Sequence, residues 1–157
     1  MVDLKPPRLV ADELETLLAL LQYQRESLVR KVSGVDDAAV RRQYVASGTN
    51  LLWLIRHAAD AETTWVVQRF AGQPAAPDDG ALGPDDTVAA AIDGYRQTWA
   101  RVGLIVSTAS LDDTCRALVD DAPVNLRWVL MHLLEETARH AGHADILREL
   151  IDGSVGR

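Results

Sequence analysis

The sequence predicts an all-α fold, a four-helix bundle with a long connection between its second and third helices. Three observations carry this expectation. Four long segments place apolar residues at three- and four-residue intervals, capping or breaking residues bound each of them, and no segment of comparable length alternates like a half-buried strand. The 157 residues fit one domain spanning 1–157, in which 1–10 form a lead and 153–157 a tail expected to fray.

The first helix is predicted over Asp12 to Val32, where Leu14, Leu17, Leu18, Leu21, Leu28 and Val32 form an apolar stripe and Glu13, Glu15, Arg25 and Arg30 fall between them. Ser33-Gly34 stops it, because glycine adopts the left-handed conformation that helix ends favour. Asp36 to Arg41 suits one short helical turn, and Arg42 to Gly48 reads as a reversing loop. Thr49 or Asn50 caps the second helix, Leu51 to Phe70, by accepting a bond from a free amide of its first turn. Its apolar face holds Leu51, Leu54, Ile55, Ala58, Ala61 and Trp65, with His57 beside that face.

Gly72 to Pro84 contains three prolines and three glycines among acidic residues, a composition that suits an exposed lid or crossover. Thr87 caps a third helix running to about Ala109, whose stripe is Val88, Ala91, Ile92, Tyr95, Trp99, Val102 and Val106. Ser110 to Val124 is expected to be irregular with a short extended piece at Cys115 to Val119. Asn125 caps the last helix, Leu126 to Asp152. No internal repeat is apparent along the chain.

Composition excludes several classes of function. A formal charge of −7, with no dense Lys/Arg cluster, opposes capture of nucleic acid or an anionic membrane surface. No apolar run is long enough to span a bilayer, and the N-terminus lacks the apolar core of a signal peptide, so a cytoplasmic location is expected. The single Cys115 cannot form an internal disulfide, and no neighbouring motif would lower its pKa.

Chemistry concentrates late in the chain. His132, Glu136, His140 and His143 share one sector of the last helix, on or beside its apolar face. Glu136 and His140, four residues apart, have the spacing that lets two side chains converge on one divalent ion, and His57 from the second helix offers a third donor. The alternative is a set of satisfied core or surface groups, and spacing alone leaves both open. His132 and His143 lie about one turn before and after the pair. Each is either a contact to the site or a packing residue. Asp60, Glu62, Arg56 and Arg139 are read as solvated helix faces, and Trp53, Trp65, Trp99 and Trp128 as core or interface residues, with Trp65 and Trp128 as a candidate homodimer contact. The His-Glu-x-x-His zincin pattern and the doubled Glu-x-x-His of di-iron bundles are both missing, which leaves a mononuclear site.

Two separated motifs carry a resemblance. Leu54-Ile-Arg-His57-Ala-Ala-Asp-Ala-Glu62 with Trp65, and Leu126-Arg-Trp-Val-Leu-Met-His132 through Glu135 to Arg148, resemble the DinB-like superfamily, in particular its actinobacterial branch, over nearly the whole chain. The resemblance implies a bundle holding one divalent ion, zinc foremost with nickel or iron also suited, through His57, Glu136 and His140. Glu136 stands where DinB proteins proper usually have histidine. This set resembles the metal-binding domain of mycothiol-dependent maleylpyruvate isomerases, and related members are mycothiol- or bacillithiol-dependent transferases. The implied activity is S-transfer from a low-molecular-weight thiol to a small electrophile; separately, the nearness of His143 or His132 along the stripe offers either as proton relay, His143 first. A non-catalytic metal-binding stress-response or interaction protein is the competing expectation.

Overall fold

The structure, a computed structural model, describes residues 4–76 and 81–156. Its elements are α1 (Glu13–Val32), α2 (Asp37–Arg41), α3 (Leu51–Glu62), which continues without a break as a π-helix (Thr63–Phe70), α4 (Val88–Val106) and α5 (Leu126–Asp152). The four long rods form the predicted bundle, with α1 packed along α5 and α3 packed against α4 and α5. Among the described residues, no helix is long and apolar enough to cross a membrane.

Capping explains where the rods begin. The side chains of Asp12, Asn50, Thr87 and Asn125 each accept a bond from the amide three residues on, at Glu15, Trp53, Ala90 and Trp128. These bonds satisfy amides that a helix cannot satisfy itself. Asn50 is also almost fully buried, which raises the cost of losing its bond. Asn50→Ala is therefore expected to cost about 1–2 kcal/mol, read as a lower urea midpoint at unchanged slope. At the other end of α1, Arg148 of α5 donates to the carbonyls of Lys31 and Ser33 at 2.9 and 2.8 Å, satisfying acceptors the helix leaves open.

Two apolar clusters fill the bundle. One gathers Leu28, Val32, Leu51, Leu54, Ile55 and Leu147, and the other Leu21, Val66, Val102, Val106, Leu130 and Leu133. Each such buried side chain contributes about 1.5–3 kcal/mol. Between the clusters, along α1 and α3, fall Arg25 and Glu62, which are 5% and 0% exposed. Arg25 donates to both carboxylate oxygens of Glu62, at 2.8 Å from Nε and 2.5 Å from Nη2. This corrects the expectation of a solvated Glu62. Burial pushes its carboxyl up, and the facing guanidinium pulls it back. Tyr95 of α4, fully buried, completes this polar layer, and burial next to Glu62 raises its phenol well above the usual range.

Other departures from expectation are local. The second predicted helix changes to π geometry at Thr63, which periodicity does not distinguish from α. The irregular segment forms isolated bridges, Thr114 with Asn125 and Val119 with Ala122, with Asp120 and Asp121 at positive φ between the latter pair. The lead is tied at Leu4, whose carbonyl accepts from Tyr23 at 2.8 Å. In the connection before α4, residues 77–80 lie outside the described residues. The part that follows is held by Arg56, which donates to the Ala81 carbonyl at 2.8 Å and to Asp86 at 2.5 Å, and by Arg41, which donates to the Gly83 carbonyl at 2.9 Å.

Candidate metal centre

The site is built from two facing rows of residues spaced by four. On α3 and its π extension the row is Trp53, His57, Ala61, Trp65 and Arg69; on α5 it is Trp128, His132, Glu136 and His140. Such a row drifts around an α-helix by about 40° per step. The wider turn of the π-helix offsets that drift at Trp65 and Arg69. The rows run antiparallel, so Trp53 lies 6.4 Å from His140 at one end and Trp65 lies 5.3 Å from Trp128 at the other, ring centre to ring centre.

Both rows start alike. Asn50-Leu-Leu-Trp53-Leu-Ile-Arg-His57 and Asn125-Leu-Arg-Trp128-Val-Leu-Met-His132 share the pattern Asn-Leu-x-Trp-x-x-x-His, an internal repeat that hydropathy conceals because its polar members sit on an apolar face. In each copy the asparagine caps the amide of the tryptophan. The tryptophan then stacks on the histidine four residues later, at 4.6 Å and 6° for Trp53 on His57 and at 5.0 Å and 12° for Trp128 on His132. Trp53 and Trp128, expected to be core or interface residues, are thus supports for imidazoles.

Glu136 lies between the two histidines. Its Oε1 is hydrogen-bonded to His57 Nε2 at 3.1 Å, and its Oε2 is 3.3 Å from His132 Nε2. His140 Nε2 approaches Oε1 to 3.8 Å, and its ring meets that of His57 edge-on at 4.9 Å. The imidazoles of His140 and His57 hold the Glu136 carboxyl well below the usual carboxylate range, against burial, which would raise it. The group is therefore ionised, the form a cation requires.

The structure brings His57, Glu136 and His140 together, with one donor atom from each lying within 4.8 Å of the others. Donors about 2.1 Å from a tetrahedral ion would stand about 3.4 Å apart, a shorter spacing than the 4.8 Å limit of this cluster. The donor types, two imidazoles and a carboxylate, suit zinc, nickel or iron. Buried His140 Nδ1 has no hydrogen-bond partner, and coordination of an ion by that nitrogen would satisfy it. The side chains of His57, Glu136 and His140 are 31%, 21% and 14% exposed, so the cluster keeps an open side for a ligand from solvent. By these measures the residues fit a single divalent ion.

His143 is exposed, with its ring 5.7 Å from that of His140. Arg139 pairs with Glu135 on the outer face of α5, as expected of a solvated position. Cys115 is buried, and burial pushes its thiol up, in keeping with no role as a nucleophile.

Comparison with known proteins now adds to this geometry. The sequence pattern described as mycothiol S-transferase matches residues 16–153. The chain belongs to the mycothiol S-transferase family. In this family member the matched span takes in α1 from Thr16 onward, the other three long rods and every residue of the two facing rows. The resemblance to the DinB-like superfamily and the all-α fold are thereby established. No match is found among curated proteins. Among solved structures, a conserved protein from Enterococcus faecalis superposes with a TM-score of 0.69 at 14% sequence identity, covering 92% of this chain and all of that one, and so shares the fold.

Proposed function

We propose that this mycothiol S-transferase family member is a divalent-metal-dependent enzyme that joins a low-molecular-weight thiol of the mycothiol type to a small electrophile. The observation that carries the proposal is the convergence of His57, Glu136 and His140 in one partly exposed cluster. Two neutral imidazoles and one carboxylate leave a divalent ion with net positive charge, and when bound it would make the thiolate available near neutral pH.

The chain's own residues supply the remaining work. Trp53, stacked on His57, fixes the plane of one donor, and ionised Glu136 keeps its charge at the site. In the transfer a carbon–sulfur bond forms, the bond from that carbon to its leaving group breaks, and the thiol proton departs. His143, exposed beside His140, is the proposed acceptor of that proton, a role that rests on proximity.

Protein purified without a histidine tag is expected to carry about one divalent ion per chain and to show thiol-dependent turnover against a panel of alkylating and acylating electrophiles. Metal-free protein from metal-replete cells would overturn the proposal. Metal binding without any thiol-dependent turnover would favour the non-catalytic alternative.

A further inference from the structure

We infer that His132 is a positioning residue for the metal centre, holding Glu136 Oε2 away from the ion so that the carboxylate offers Oε1 alone. This inference rests on the metal site proposed above.

The repeat makes His132 the counterpart of His57. Each histidine is stacked on a tryptophan four residues earlier, and each directs Nε2 at one oxygen of the same carboxylate, at 3.1 Å for Oε1 and 3.3 Å for Oε2. The two sides differ in what stands next to them. Beside His57 is the imidazole of His140, a third donor. Beside His132 is the ring of Trp65, 4.5 Å away and inclined at 64°, whose own face is covered by the Arg69 guanidinium at 4.2 Å. That side holds no further ligand among the described residues, and the cation beside it opposes a metal ion. An imidazole fixed between two indoles with only a carboxylate oxygen before it serves as an N–H donor.

Glu136 Oε2 needs such a donor. It is buried and completes no hydrogen bond as placed, and the Nε2 of His132 stands 3.3 Å from it. Partners of this kind, placed behind a ligand, set its orientation, and their loss lowers metal affinity about 10- to 100-fold.

The test uses cobalt(II) as the probe on wild type, His132→Ala and His132→Gln, with circular dichroism melting to confirm that each is folded. In His132→Ala the cobalt Kd is expected to rise about 10- to 100-fold, with a shifted visible absorption band because the freed Oε2 can turn toward the ion. His132→Gln, whose amide can donate to the same oxygen, should recover the wild-type band and most of the affinity. An alanine variant with wild-type Kd and band would overturn the inference while leaving the metal site standing. Loss of all cobalt binding in both variants would make His132 a ligand and overturn it as well. Wild-type protein that binds no cobalt would remove the metal centre itself.

Discussion

Arg25→Ala is expected to remove about 3–5 kcal/mol of stability, because it leaves Glu62 buried without its bidentate partner. That is a large fraction of the whole, since domains are stable by about 5–15 kcal/mol. For a chain of this size it corresponds to a melting temperature lower by about 6–20 °C. The loss should also depend on pH. Without Arg25 the burial that raises the Glu62 pKa is opposed only by Tyr95, so the folded-state value lies further above the unfolded value of about 4.3 than in the wild type. A raised carboxyl contributes stability that is present below the unfolded pKa and disappears as pH rises through the folded one. The variant should therefore be closer to wild type at pH 5 than at pH 8, in paired urea titrations. An equal loss at both pH values would show that the charge of Glu62 is not what matters. Replacing both partners, as Arg25→Met with Glu62→Leu, should recover much of the stability, since two apolar groups leave no charge unpaired.

His57→Ala is the second large effect, and it falls on binding rather than folding. A ligand present at about 100 times its Kd stabilises the native state by about 2.7 kcal/mol. Wild-type protein with saturating zinc should thus melt about 5–10 °C higher than after chelation. The variant lacks one of three donors and should show no zinc-dependent shift and no thiol-dependent turnover. Its own metal-free stability should change by only about 1 kcal/mol, because the His57 side chain is partly exposed. His140→Ala should behave the same way in binding. A zinc-dependent shift preserved in either variant would separate the proposed donors from the metal.

Much of the fold was legible because its physics is local. Apolar residues at helical spacing located the four rods, Thr87 and Asn125 marked two of their starts, and of the two caps the sequence offered for the second, Thr49 or Asn50, the structure uses Asn50. The four-residue interval between Glu136 and His140 was equally legible, since one helical turn fixes which side chains are neighbours. What the sequence concealed depends on contacts between distant segments. Glu62 looked like an exterior charge because its partner, Arg25, lies 37 residues away on another helix. The change to π geometry at Thr63 leaves no trace in hydropathy. The repeat Asn-Leu-x-Trp-x-x-x-His, contrary to the expectation of no internal repeat, emerged only when the two copies were seen facing one carboxylate.

The burial of Cys115 has a consequence for the chemistry proposed. A protein that brings reactive electrophiles together with a foreign thiol exposes its own nucleophiles to the same reagents. Here the chain's one sulfhydryl is 8% exposed and kept in its unreactive protonated form by that burial. If the proposed transfer holds, this burial suppresses self-alkylation and mixed-disulfide formation and leaves the donor thiol as the preferred target.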